Sequence, residues 1–382
     1  MTSKTLHKLY ISNKEKTLSG RYITVDMIAP LVKKMTSNFK VNKIGDSVEG
    51  VPIHSIKLGS GPKKVLLWSQ MHGNESTTTK ALFDLLNCFS ENNASVQNIL
   101  ESCTLMIMPI LNPDGAHYYT RVNANDIDLN RDAQDLSQPE SKILRELFDE
   151  FKPAYCFNLH GQRTIFGAGN SGRSATLSFL APAMDADKSL PMHRKQAMCI
   201  IASLHSRLSV ELDGGIGLYD DGFNLNCVGD TFQNLGASTV LFEAGHFPDD
   251  YNREETRKYI FYALYHALTH ISRGVAVDDY QQYFDIPKNE VCFYDVLIKH
   301  ARLFQSDEKT VDIAIQFRED LVGNKVVFVP EIIKIEDLDG YFGHKTIDAK
   351  NSVVCDSKNK TLKVGSEIDF VILNNRKILI KS

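Results

Sequence analysis

Four short segments gather the residues of this 382-residue chain that could do chemistry. His72-Gly-Asn-Glu75 separates an imidazole from a carboxylate by two residues, which lets both converge on one ion where the chain turns. AYCFNLH (154–160) ends an apolar run on His160, and STVLFEA (238–244) carries Glu243 near the end of another. Between them, LNPDGAHYYTRVNANDIDLNRD (111–132) concentrates Asn112, Asp114, Arg121, Asp128, Asn130 and Arg131 in one polar stretch. Ordering so many polar groups is costly unless something binds there. HxxE alone is a weak signal, since a surface turn produces it as readily. Two His and a Glu together are the donor set of a zinc site that keeps a fourth position for water. His246 follows Glu243 by three residues, in a loop position that suits a supporting or surface role better than ligation, and His117 reads as a loop residue.

These residues need a frame that brings strand ends together. KVLLWSQ (64–70), CTLMIMPI (103–110), AYCFNLH and STVLFEA are short, nearly continuous apolar runs, the pattern of strands covered on both faces. Helical spacing separates them. TTTKALFDLLNCF (77–89) follows the HGNE turn, SQPESKILRELFDEF opens on Ser137 as an N-cap with Glu140 three residues later, and PMHRKQAMCIIASLHSRL and REETRKYIFYALYHALTHI complete the set. Alternating strands and helices predict an α/β sheet domain, whose ligand sites form at the carboxyl ends of strands. The stretches VCFYDVLIKHARLF, VDIAIQF, KVVFVPEIIKI, TLKVGSEIDFVIL and RKILIK are β-branched and broken by turns such as LDG and DSKNK. They predict a small all-β domain. The expected division is a catalytic domain over 1–278, with its core at about 50–275, and a β-rich accessory domain over 279–382.

Composition narrows the function classes. Hydrophobic residues make up 43% and charged residues 24%, as in ordinary globular chains, and the net charge of −4 gives no electrostatic case for nucleic acid or an anionic membrane. The first twenty residues lack the apolar run of a signal peptide, and no later run is long and apolar enough to span a bilayer. Seven cysteines, odd in number and scattered through apolar runs, read as reduced core residues, so a cytoplasmic location is expected.

Taken in order, HGNE, NPDG, Arg121, DLNR, NLHG and FEAG resemble the signature of the zinc carboxypeptidases of the carboxypeptidase A and B type, across about residues 50–275. The resemblance implies a mixed, mostly parallel central sheet flanked by helices, and one Zn2+ per chain held by His72, Glu75 and His160. It makes Asp128 the carboxylate that orients His72, and Glu243 the base that takes a proton from a zinc-bound water. It gives the substrate's terminal carboxylate to Asn130 and Arg131, and the scissile carbonyl to Arg121. Tyr219 in GLYDDGFNLNCVGD is an approximate match to the family's mobile capping tyrosine, and the side-chain pocket would lie around Cys227, Gly229 and Asp230. The segment from Glu75 to His160 is shorter than in the digestive enzymes.

The chain also resembles the aspartoacylase and succinylglutamate desuccinylase branch, which shares HGNE, DLNR, a strand-ending His and a catalytic Glu, and carries a C-terminal β domain. NPDG favours the peptidase and the appended domain favours the deacylase, so the substrate is expected to be a small peptide or, alternatively, an N-acyl amino acid. A non-catalytic binding protein on the same fold is a third reading, disfavoured because no ligand and no Glu is missing. The accessory domain would shield the cleft or form contacts in a homo-oligomer.

Overall fold

The computed structural model describes residues 2–91, 93–303, 309–358 and 360–381. Phe304, at the end of VCFYDVLIKHARLF, and Asn359 of the DSKNK turn lie outside them. The chain divides into two compact units, Met1–Gln162 with Ala175–Asn289, and Arg163–Ser174 with Glu290–Ser382.

The first unit is built on an eight-stranded sheet. In chain order its strands are β1 (Lys40–Asp46), β2 (Pro52–Leu58), β3 (Lys63–Ser69), β4 (Cys103–Met108), β5 (Tyr155–Gly161), β6 (Leu177–Leu180), β7 (Ile216–Leu218) and β8 (Ser238–Ala244). Across the sheet they lie in the order β1-β2-β4-β3-β5-β8-β6-β7. The central strands β4, β3, β5 and β8 run parallel. Antiparallel pairing joins β1 to β2, β2 to β4 and β6 to β8, so the sheet is mixed with a parallel centre, as expected.

The apolar runs form these strands because both faces are covered. Val65, Leu67, Phe157, Leu159, Val240 and Phe242 share a core with helices α1 (Ser3–Asn13), α2 (Val25–Met35), α3 (Thr77–Phe89) and α4 (Ala94–Ser102). Residues of α7 (Met192–Leu208) and α9 (Glu254–Arg273) belong to that core too. Leu66, Trp68, Met106 and Cys156 face the other way, against Phe148 of α6 (Pro139–Phe151) and Phe232 of α8 (Val228–Asn234). A period of two along each strand then places His160, in step with Cys156, on the α6 and α8 side. Glu243, out of step with Val240 and Phe242, falls on the same side.

Local chemistry sets several boundaries. The expected Ser137 cap is corrected: α6 begins at Pro139 with Gln138 as its N-cap. Proline suits the first helical position, because its φ is already helical and its missing N–H would have had no partner there. The turn before it is tied to Asp132, whose carboxylate accepts from the backbone N–H groups of Ser137 and Gln138, both at 3.0 Å. At the start of α9, the Asp250 carboxylate accepts from the N–H groups of Glu254, Glu255 and Thr256 at 2.9, 2.7 and 3.1 Å. Asp84 of α3 and Arg257 of α9, both fully buried, are joined by two bonds of 2.6 and 2.7 Å. Arg257 also donates to the carbonyls of Glu15 and Leu18, which holds the N-terminal segment against these helices. Removing one partner of such a buried pair typically costs about 3–5 kcal/mol.

The second unit is β-rich. Its strands β9 (Phe293–Leu303), β10 (Val311–Val322), β11 (Lys325–Glu336), β12 (Phe342–Asp348), β13 (Val353–Cys355), β14 (Phe370–Leu373) and β15 (Arg376–Leu379) form one sheet. The order is β11-β10-β9-β13-β14-β15, with β12 pairing to β9. Val296, Ile298, Ile313, Ile315, Ile332 and Val371 make its core. Asn374 and Asn375 both take positive φ, 50° and 58°, as a two-residue hairpin between β14 and β15 requires.

Candidate metal centre

The chain leaves β3 at Ser69 and turns at once. Gln70 has φ 47°, in the left-handed region, and its fully buried side chain braces the turn that carries HGNE. Its Nε2 donates to the carbonyls of Ile23 (2.9 Å) and Gly73 (2.8 Å), and its Oε1 accepts from the Thr79 hydroxyl at 2.8 Å. His72 and Glu75 are thereby held between the end of β3 and the start of α3.

The NPDG segment supports this turn. Asn112 caps the short helix α5 (Pro113–Tyr118) by accepting from the Gly115 N–H at 2.8 Å, and its Nδ2 donates to the Met71 carbonyl at 3.2 Å. The buried Asp114 carboxylate accepts from the Ser47 hydroxyl at 2.6 Å and the Glu49 N–H at 3.1 Å. The polarity of this stretch, read from the sequence as a sign of binding, is in these two residues taken up by internal hydrogen bonds. A Cβ on Gly73 would stand 1.9 Å from the Gly115 carbonyl carbon, so the two motifs meet backbone to backbone. Gly73→Ala is expected to lower unfolding stability by about 1–3 kcal/mol, the usual cost of overpacking. A denaturant midpoint equal to wild type would contradict this.

His72, Glu75 and His160 come together with one ligand atom from each inside a 4.8 Å span. His72 Nδ1 lies 2.9 Å from Glu75 Oε1, and His160 Nδ1 lies 3.0 Å from Glu75 Oε2 and 3.1 Å from His72 Nδ1. Both imidazoles therefore point the same ring nitrogen into one small space. The Gly161 N–H donates to Glu75 Oε2 at 2.9 Å. His72 Nε2 lies 2.9 Å from Asp128 Oδ1, the outer carboxylate that commonly fixes the ring of a metal-binding histidine. His160 Nε2 has no hydrogen-bond partner among the described residues.

The charges in this space depend on one another. Burial opposes a charged His72, but the Glu75 carboxylate and the Asp128 hydrogen bond outweigh it and push the imidazole up to about 9. Burial alone would raise the Glu75 and Asp128 carboxyls; the nearby imidazoles hold Glu75 well below the usual carboxylate range, and His72 with Arg121 does the same for Asp128. Burial lowers His160.

Arg121, half exposed, donates to Asp128 Oδ2 at 3.0 Å and lies 3.4 Å from Glu75 Oε1. Glu243 sits opposite His160 in the parallel β5–β8 register, and opposite Ser178 in the β6–β8 register. The residue is 8% exposed, and Oε2 makes no hydrogen bond among the described residues. Burial, reinforced by the Glu75 charge, raises its carboxyl well above the ordinary carboxylate range.

Asp128 also accepts from the Asn130 N–H at 2.9 Å, which shapes the DLNR turn. Asn130 Oδ1 accepts from the Val228 N–H at 3.1 Å and so joins the turn to α8. The exposed Arg131 guanidinium donates to the Asn130 carbonyl at 2.8 Å and interacts with Cys227. Burial, then the charges of Glu243 and Glu75, lift the Tyr219 hydroxyl to about 12, which sets this tyrosine within electrostatic reach of the cluster. Burial raises Asp230 to about 6, with the Asn224 N–H and the Arg131 charge opposing.

His246 is 1% exposed and its ring lies 4.7 Å from that of Tyr251, so of the supporting and surface roles expected for it the surface one is corrected. His117 is exposed, on α5. Sequence reasoning missed Gln70 and the supporting role of NPDG. A buried amide on a left-handed residue leaves no periodic signal.

Residues 24–168 match the family model described as zinc carboxypeptidase. That stretch holds HGNE, NPDG, DLNR and NLHG and ends before FEAG. Over 167 residues the chain is 30% identical to Carboxypeptidase SOL1 of Arabidopsis thaliana, covering 38% of this chain and 34% of that protein. Over 207 residues it is 25% identical to Carboxypeptidase M of Mus musculus, covering 46% and 47%. The solved structure of a metallo-carboxypeptidase from Pseudomonas aeruginosa, in complex with (2-guanidinoethylmercapto)succinic acid, shares the fold. It superposes with a TM-score of 0.54 at 18% identity, over 66% of this chain and 70% of that one. The resemblance read from the motifs is thus to the zinc carboxypeptidases. The matched stretches span 34% and 47% of the length of the two curated relatives.

Proposed function

We propose that this protein is a zinc-dependent carboxypeptidase that removes the C-terminal residue of a small peptide. The observation that carries the reading is the convergence of His72 Nδ1, Glu75 and His160 Nδ1 inside 4.8 Å, with Asp128 behind His72 and Glu243 in register beside His160. Two imidazole nitrogens and a carboxylate are a donor set suited to zinc, which fits one ion per chain. Zinc held there would supply Lewis acidity toward a carbonyl and an acidified water.

The chain's own residues supply the rest. Glu243 takes a proton from the attacking water and returns it to the leaving amine. Arg131 presents a planar fork to a terminal carboxylate, and Asn130, whose amide oxygen is engaged by Val228, offers its N–H groups to the same anion. Arg121 lies beside the cluster, where its charge would stabilise a developing oxyanion. Tyr219 is the candidate to close over bound substrate. The seven cysteines are free and six are buried, which supports a reducing compartment and hence a cytoplasmic location.

The test is a substrate panel of dipeptides, longer peptides and N-acyl amino acids, offered to the purified zinc-loaded protein. Release of the free C-terminal residue from peptides is expected. Hydrolysis confined to acyl amino acids would transfer the chain to the deacylase branch, and zinc binding with no hydrolysis of either class would leave the binding-protein reading.

A further inference from the structure

Arg253 would touch neither metal nor substrate, yet it joins the strands that carry His160 and Glu243. It is 1% exposed and immediately precedes α9, with φ 59° in the left-handed region. One guanidinium nitrogen, Nη1, donates to the Ala244 carbonyl at 2.8 Å, and Nη2 donates to the Gln162 carbonyl at 3.0 Å. Ala244 directly follows Glu243, and Gln162 lies two residues beyond His160. The β5–β8 ladder ends here, with Gly161 opposite Ala244 and the Gln162 N–H donating to the Ala244 carbonyl at 3.0 Å. The planar guanidinium thus bridges two strand ends at the point where backbone pairing stops.

The next residue faces another part of the site's frame. Glu254 accepts from the fully buried Lys80 at 2.6 Å, and Lys80 also donates to the Asn252 carbonyl at 3.1 Å. Lys80 lies on α3, five residues after Glu75. The short stretch of chain leading into α9 is therefore fastened both to the helix behind Glu75 and to the strands bearing His160 and Glu243.

We propose that Arg253 is a positioning residue, whose two-carbonyl bridge sets the spacing between His160 and Glu243. As a catalytic support this rests on the carboxypeptidase reading; as a constraint on the strand ends it does not. Lysine offers a point charge and cannot reproduce the fork across two carbonyls.

The test compares Arg253→Lys and Arg253→Gln with Ile271→Val, a fully buried core position at the far end of α9, in the full chain. Three quantities are read: kcat and KM per folded, zinc-loaded molecule, the zinc dissociation constant by chelator competition, and amide hydrogen exchange in metal-free protein. The Arg253 variants are expected to lose at least about tenfold in kcat, with KM within about twofold. Exchange at Gln162 and Gly245 should accelerate about tenfold, while mid-strand Phe157 and Val240 stay protected. Ile271→Val should lower stability and leave kcat per folded molecule unchanged. Wild-type kcat in Arg253→Lys, or unchanged exchange at the strand ends, would overturn the proposal. If wild-type protein hydrolyses nothing, the carboxypeptidase reading falls, and the exchange comparison still decides whether Arg253 holds the strand ends.

Discussion

Glu243→Gln is expected to lower kcat by about 10²–10⁴-fold, the range for removing a positioned general acid–base group, while leaving zinc content unchanged. Glutamine matches the shape of glutamate and cannot exchange the proton. The metal should stay because the proposed ligand set, His72, Glu75 and His160, does not include Glu243. Stability should be equal to that of wild type or higher. The native carboxyl is buried beside Glu75 and Oε2 has no hydrogen-bond partner among the described residues, so ionising it is opposed in the metal-free protein. A variant with wild-type turnover would remove Glu243 from the mechanism. One that lost zinc together with activity would make it a structural support of the metal site instead.

The second large effect is the response of zinc affinity to pH. In the metal-free protein His72 is raised to about 9, because Glu75 and Asp128 overcome the burial that opposes its charge. Below that pH a zinc ion must displace the His72 proton before it can use the nitrogen. The apparent dissociation constant should therefore rise by about tenfold for each unit the pH falls below 9, or about a thousandfold between pH 8.5 and 5.5. Proton release is the matching observable: calorimetric titration with zinc at about pH 7, in buffers of different ionisation enthalpy, should show about one proton released or more. Asp128→Asn removes one of the two carboxylates that raise His72. It should flatten the pH dependence and weaken zinc binding by about 10–100-fold, as losing the partner of a ligating histidine does. An affinity that stayed constant between about pH 6 and 8 would contradict the charge coupling around His72.

The sequence was most informative where chemistry and strand ends coincide. HGNE, NLHG and FEAG each follow or end an apolar run, and once those runs are parallel neighbours their convergence follows from the pleat. DLNR was also legible, because Asp128 approaches His72 from the same turn that carries Asn130 and Arg131. NPDG was recognisable as a motif, yet its physical work was hidden: Asn112 and Asp114 bond to Met71, Ser47 and Glu49, contacts that no local pattern announces. Arg253 was invisible for the same reason. Its partners are backbone carbonyls, which every residue possesses, so its role depends on where two strands far apart in sequence happen to stop.

The inclusion of Arg163–Ser174 in the second unit was equally unreadable. That stretch is short and rich in glycine and serine, without the periodicity that would assign it to either unit. The Ser137 cap failed because the Ser137 hydroxyl donates to Asp132, which also holds the Ser137 and Gln138 N–H groups in the turn before the helix, and Pro139 has no N–H to offer a capping serine.

The unbroken pairing of β5 with β8, from Tyr155 opposite Ser238 to Gly161 opposite Ala244, has a consequence for how this chain tolerates insertions and deletions. The residues between Gln162 and Ala237 can gain or lose length in their loops without altering the separation of His160 from Glu243, since hydrogen-bond register sets that separation. A single residue inserted inside β8 ahead of Glu243 would instead turn its carboxyl toward the core shared by Val240 and Phe242. Length variants should therefore be accepted in the loops of the long connection and rejected inside β6, which pairs with β8, and within a few residues of either strand end.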